Sequence, residues 1–103
     1  MSDELKVLYN FVKHVQNSVS PVMFIGKVSL IYFQIYLDGF VRAQWEMTGR
    51  YPEGLKNFSC YTGEYFDDNR NVGWSSIILS HTKSEEEAFE TFYRLFEEYM
   101  ISI

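Results

Sequence analysis

Residues 84–103 (SEEEAFETFYRLFEEYMISI) contain the clearest structural signal in the chain. Ser84 and Glu87 have the spacing of a capping box, in which each side chain accepts a hydrogen bond from the other's free backbone amide. Glutamates crowd the first turns, where the helix dipole favours negative charge. The pattern predicts a helix from about Glu85 to Met100. Its apolar residues recur at intervals of three and four, as one face of a helix does: Phe89, Phe92, Phe96, Tyr99 and Ile103.

Two more helices are predicted upstream. Ser2 or Asp3 can cap the first, which ends before Ser20-Pro21 because the residue ahead of a proline is disfavoured in the α region. Ser29 can cap the second, which runs to about Met47. The predicted buried stripes are Leu5, Leu8, Phe11, Val12 and Val15 in the first helix, and Leu30, Phe33, Leu37 and Phe40 in the second.

The second of these helices is apolar well beyond one stripe. Ile31, Ile35, Tyr36, Val41 and Trp45 widen its apolar surface, and so wide a face predicts a central helix that packs on more than one side. Glycine in a helix interior costs about 1 kcal/mol relative to alanine. We therefore expect a neighbouring backbone to approach closely at the glycine of residue 39.

The middle of the chain is more ambiguous. Pro52 suits the first position of a helix, and the spacing of Leu55, Phe58, Tyr61 and Tyr65 places them on one face. A polar, turn-rich loop follows at residues 67–71 and closes at residue 73. Residues 76–80 fit either a helix beginning at residue 74 or a short buried strand. Taken as helix, they complete a mainly α fold, a compact bundle of four to five helices.

Charge is unevenly distributed along the 103 residues. The formal net charge is −5, and residues 1–52 contain five bases and four acids whereas residues 53–103 contain ten acids and four bases. An acidic balance argues against a nucleic-acid partner, because neutralising phosphates requires clustered lysine and arginine. It favours a basic protein partner.

Targeting signals and disulfide patterns are absent from the sequence. A lone Cys60 excludes an intramolecular disulfide, the acidic N-terminus lacks a signal-peptide core, and the most apolar stretch, residues 28–40, is too short to cross a bilayer. We expect a cytoplasmic protein with no membrane partner. The sequence does not determine its oligomeric state.

Catalytic chemistry has little support. The histidines, His14 and His81, lie in separate predicted elements, and the sequence contains neither HExxH nor CxxC. Cys60 beside Phe58 and Tyr61 is best interpreted as a small buried thiol. The expectation is a protein that is not an enzyme, with no catalytic residue, metal ligand or cofactor.

Aromatic and acidic residues alternate between residues 50 and 74. Tyrosine and tryptophan are enriched at binding hot spots, and carboxylates around them steer a basic partner. We therefore predict an interaction surface in this region. The candidate contacts are Glu64, Tyr65, Asp67 and Asp68, followed by Tyr61 and Trp74.

Three stretches of the chain resemble small bacterial immunity proteins. In residues 21–40 a proline, an apolar pair, a glycine and a Ser-Leu helix start lead to the apolar-x-Gly-aromatic end Leu37-Asp-Gly-Phe40. Residues 73–79 (GWSSIIL) and 86–99 (EEAFETFYRLFEEY) are similar to the tail of those proteins.

The resemblance implies a protein encoded beside a polymorphic toxin, as in contact-dependent growth inhibition, that binds and blocks the toxin's C-terminal domain. Many such toxins are nucleases that act on RNA. The sequence leaves open an alternative of another class, in which the chain is an adaptor or regulatory subunit that docks on a basic protein without any toxin.

Overall fold

Serine and glutamate side chains set where the helices begin. In the computed structural model, which describes residues 2–18, 26, 28–50 and 53–103, the Oγ atom of Ser84 accepts a hydrogen bond from the backbone amide of Glu87 at 3.1 Å. The Glu87 carboxylate accepts from the amide of Lys83 at 3.2 Å, and not from that of Ser84 as the capping box predicted. Ser29 caps the amide of Tyr32 at 3.3 Å.

The described part of the chain contains five α-helices and no strand. They are α1 (Asp3–Ser18), α2 (Leu30–Thr48), α3 (Glu53–Phe66), α4 (Trp74–Ser80) and α5 (Glu85–Ser102). The predicted mainly α bundle is therefore confirmed, and residues 76–80 are helical. Ser20, Pro21 and Pro52, whose roles at helix ends were predicted, lie outside the described residues.

The core is formed where α5 meets the other helices. Phe92 and Phe96 of α5 are fully buried, and both pack edge-on against Phe58 of α3 at centroid distances of 5.9 and 5.7 Å. Phe33 of α2 contacts the ring of Phe92 at 5.8 Å. Aromatic rings of α2, α3 and α5 are therefore buried against one another, and such rings bury a large apolar area. Ile103, predicted as part of the α5 stripe, is exposed beyond the helix end.

Polar contacts fix how the helices meet. The hydroxyl of Tyr9 on α1 donates to the carboxylate of Glu97 on α5 at 2.7 Å, and Lys13 pairs with the same carboxylate at 3.3 Å. The hydrogen bond from Tyr9 lowers the pKa of Glu97. Glu85, in the first turn of α5, accepts from the free amide of Leu30 at 3.0 Å and so caps α2 as well. Part of the acidic charge thus serves the fold.

No helix in the described residues has both the length and the apolar character needed to cross a membrane.

Candidate functional site

The end of α3 turns sharply because of a Schellman motif. The amide of Asp68 donates to the carbonyl of Gly63 at 2.8 Å, and the amide of Asp67 donates to that of Glu64 at 3.2 Å. Asp67 takes the left-handed conformation with φ 51°, which aspartate tolerates better than most residues. A Cβ atom on Gly63 would lie 2.8 Å from the carbonyl oxygen of Asp68, so the turn requires a glycine there.

The segment that follows, residues 67–73, is called here the α3–α4 turn, and Asp68 organises it. Its carboxylate pairs with the guanidinium of Arg70 at 2.6 Å and with Nε2 of His81 at 3.1 Å, and it accepts from the Arg70 amide at 3.1 Å. These hydrogen bonds, chiefly those from the Arg70 side chain, hold the pKa of Asp68 well below its usual value. With its side chain only 8% exposed, Asp68 ties the turn together and is not an outward contact as predicted.

Glu64 and Asp67 have a different environment. Both are exposed, and no ion pair or side-chain hydrogen bond engages either carboxylate within the part of the chain that the structure describes. They line a cleft of about 410 Å³ between the end of α3 and the α3–α4 turn, together with Cys60, Gly63, Arg70 and Val72. Because Arg70 is already paired with Asp68, the rim of this cleft keeps a net negative charge.

Tyr65 follows Glu64 in the sequence, and its side chain is half-exposed next to α5. Its hydroxyl accepts a hydrogen bond from Arg94 of α5 at 2.9 Å, and the guanidinium lies 5.5 Å from the centre of its ring. The edge of the ring contacts Phe66, which in turn stacks on His81 at 4.6 Å. The contacts hold the tyrosine in one place while leaving about half of it accessible to a partner.

The predicted surface aromatics divide between core and surface. Trp74 is 1% exposed and stacks on Phe92 at 4.6 Å, so its prediction as a contact is wrong. Tyr61 is half-buried, with its ring 5.2 Å from Tyr99 and 6.3 Å from Phe58. Of the six predicted contacts, the structure brings the exposed Glu64 and Asp67 together at the cleft, whereas Tyr65 and Tyr61 lie on the side of α3 that faces α5.

A second region, which the sequence interpretation missed, lies on α2. Only four residues of this helix are buried: Leu30, Phe33, Leu37 and Val41. The prediction of a central helix that packs on more than one side is therefore wrong. The opposite side is exposed and largely apolar, and it is called here the outer face. It comprises Ile31, Tyr32, Ile35, Tyr36, Gly39 and Ala43. The exposed ion pair of Arg42 with Glu46 lies on the same side of the helix.

The width of the apolar pattern on α2 was the signal for this region. Tertiary packing covers one stripe and leaves the other on the surface, which periodicity alone does not reveal. Among the described residues, no atom outside its immediate backbone lies within 4 Å of a Cβ built on Gly39. No described residue makes the close approach of a neighbouring backbone that the sequence predicted at Gly39.

The groups considered for catalysis are dispersed. Cys60 is exposed beside the acidic cleft and is not the buried thiol that was expected. His14 is exposed on α1, whereas His81 belongs to the Asp68 network. The described residues contain no group of three or more histidine, cysteine or acidic side chains arranged to hold a metal ion.

Another cleft, of about 550 Å³, separates α1 from α5. Its charges are mixed, because Lys13 and Arg94 face Glu90, Glu97 and Glu98. It therefore has no strong preference for a basic or an acidic ligand.

Comparison of the chain with family models, curated proteins and solved structures finds no match.

Proposed function

We propose that this chain is a cytoplasmic immunity protein, which binds the C-terminal domain of a cognate bacterial toxin and blocks its active site. The resemblance of residues 21–40, 73–79 and 86–99 to immunity proteins suggests the class of partner. The acidic rim of the cleft beside α3 suggests that this partner is basic, as a nuclease must be to attract phosphates.

The observation that supports the proposal most directly is the position of Glu64 and Asp67. The Schellman motif at the end of α3 fixes the backbone of both residues, so little backbone freedom is lost when their carboxylates are bound. Their charges are not neutralised by the described part of the chain. Unpaired carboxylates on a fixed backbone can replace substrate phosphates in a cationic groove.

Tyr65 supplies the apolar component of the proposed contact. A tyrosine held by Arg94 offers a rigid ring with a polar tip, the type of side chain that dominates the energetics of protein interfaces. The negative field would accelerate encounter with a basic toxin, and the ring would slow dissociation once the groove is covered. The toxin is inhibited because its substrate can no longer enter.

The test is co-expression of this chain with the toxin domain encoded immediately upstream of it. We expect cells that make the toxin alone to stop growing and cells that make both to grow. Equal loss of growth with and without the chain contradicts the proposal. Purified toxin domain then allows binding to be measured directly by surface plasmon resonance.

The site is tested with two variants that make the same change in net charge. Glu64→Gln combined with Asp67→Asn removes both rim carboxylates, and asparagine tolerates the left-handed backbone at residue 67. The control, Glu86→Gln combined with Glu90→Gln, removes two exposed carboxylates of α5. At low salt we expect the rim variant to associate about tenfold more slowly than the control. Equal association rates for the two variants would show that the interface lies outside the cleft.

A further inference from the structure

The imidazole of His81 contacts the residues on both sides of Asp67. Its ring stacks on Phe66 with a centroid distance of 4.6 Å and an interplanar angle of 8°. Its Nε2 atom lies 3.1 Å from the carboxylate of Asp68. His81 follows the last residue of α4, and its backbone amide donates to the carbonyl of Ile78. A side chain at the end of α4 therefore links two residues at the end of α3.

Asp67 occupies a position that favours glycine. It is the residue after the helix end in the Schellman motif, and glycine usually stands there because it adopts the left-handed conformation without steric cost. Asp67 takes that conformation with φ 51°, and a residue other than glycine keeps it only where its surroundings hold it. The chain thus accepts a conformational cost and places an exposed carboxylate at the rim of the cleft.

The two contacts of His81 can hold this conformation from outside the turn. Because one rigid ring contacts both Phe66 and Asp68, a change in the backbone angles of the residue between them would break at least one of the contacts. Arg70 binds the same carboxylate, but it belongs to the same turn and does not connect Asp68 with α4. His81 provides that connection, and the Asp68 side chain that it contacts is only 8% exposed.

We infer that His81 is a positioning residue for the proposed toxin contact: it holds the backbone of Asp67 in the left-handed conformation that places the carboxylate at the cleft. This role rests on the proposed function, which gives that carboxylate its partner, and His81 itself does not touch the toxin. A carboxylate on a backbone that is fixed before binding loses less freedom on association than one that the partner must order. Without the imidazole, part of the molecules adopt a negative φ at Asp67, and binding weakens.

The first test uses the free chain and needs no toxin. A positive φ brings the amide proton and the Hα proton of one residue close together, so Asp67 should give a strong intraresidue NOE in the NMR spectrum of the wild type. His81→Ala removes both contacts, and we expect a partial loss of this NOE. The matched control, His14→Ala, removes an exposed histidine of α1 and should leave it unchanged. An unchanged NOE in the His81→Ala variant would overturn the inference.

Two further variants separate the contacts. His81→Phe keeps a ring that can stack on Phe66 but loses the hydrogen bond to Asp68, whereas His81→Gln keeps a donor for Asp68 but loses the stack. We expect each to retain part of the NOE that His81→Ala loses, since either contact still connects α4 with the end of α3. If both variants lose as much of the NOE as His81→Ala does, these contacts are not what holds the turn, and the inference is wrong.

A double-mutant cycle with the toxin domain relates the two residues to binding. We expect His81→Ala to weaken toxin binding by about fivefold in the wild-type background, and to have almost no effect in the Asp67→Asn background, where no charge remains to be positioned. Equal effects in the two backgrounds would mean that His81 acts independently of Asp67, which contradicts the inference. A toxin that does not bind the wild type contradicts the proposed function alone, and the NOE comparison on the free chain still decides whether His81 holds Asp67.

Discussion

The outer face of α2 and the α3–α4 turn are both on the surface, but their charges are arranged in opposite ways. On α2, Arg42 neutralises Glu46 and leaves apolar side chains exposed between balanced charges. At the turn, Arg70 neutralises the nearly buried Asp68, and the exposed carboxylates of Glu64 and Asp67 keep their charge. One surface would favour a partner that excludes water from it, and the other would attract a basic partner from a distance. The comparison shows that net charge alone does not describe the surface of this chain.

A tryptophan lies next to each region, Trp74 after the α3–α4 turn and Trp45 on α2. Replacing each with alanine should give the largest difference in stability between the two regions. Trp74→Ala removes a ring that packs against Phe58 and Phe92 in the core, so we expect a loss of about 3–5 kcal/mol in the free energy of unfolding. Trp45→Ala removes a ring that is 39% exposed and contacts Arg42, for which about 1 kcal/mol is expected. Urea denaturation measures both. A stable Trp74→Ala protein that has lost toxin binding would restore Trp74 as a contact.

Replacing two helix glycines with alanine should change the free energy of unfolding in opposite directions. Gly63→Ala pushes a Cβ atom against the carbonyl of Asp68, which is backbone and cannot easily move, and we expect a loss of about 1–3 kcal/mol. Gly39→Ala meets open space and should gain up to about 1 kcal/mol from helix propensity. Thermal unfolding measures both. Destabilisation by Gly39→Ala would mean that a neighbour within the chain does pack there.

Gln34 connects the two regions. Its Oε1 atom accepts hydrogen bonds from the amide of Ser75, at 3.0 Å, and from the Ser75 hydroxyl, so it ties α2 to the start of α4. Gln34→Ala leaves two donors of a buried serine without that acceptor, and we expect a loss of about 1–3 kcal/mol. Gln34→Glu keeps an acceptor oxygen and should recover part of this loss in urea denaturation. A Gln34→Ala protein that is as stable as the wild type would show that the hydrogen bonds to Ser75 contribute little.

The helices were predictable because their signals are local. Ser29 and Ser84 mark helix starts within four residues of the groups they cap, and each helix shows its buried stripe in its own sequence. The exposure and the charge pairing of individual side chains could not be predicted in this way. Whether Trp74 or Trp45 is buried depends on which helix covers it, and the carboxylate of Asp68 is also hydrogen-bonded to His81, thirteen residues away. Gly39 and Gly63 look alike in sequence, and only the fold shows that a carbonyl oxygen lies against one of them.

The pH dependence of stability should distinguish the paired carboxylate of the turn from the unpaired one. The native pKa of Asp68 lies below the usual 3.8 because Arg70 and His81 hydrogen-bond to its charged form. Its contribution to stability is therefore present above about pH 4 and is lost as the pH falls through the native pKa. We expect Asp68→Asn to lower the melting temperature at pH 7, and the difference from wild type to shrink as the pH approaches 2. Asp67→Asn, which removes the adjacent but unpaired charge, should differ little from wild type across the same range. If the melting temperatures of the Asp68→Asn variant and the wild type fall in parallel as the pH is lowered, Arg70 and His81 do not hold this carboxylate in its charged form. The rim of the cleft would then include a third available carboxylate.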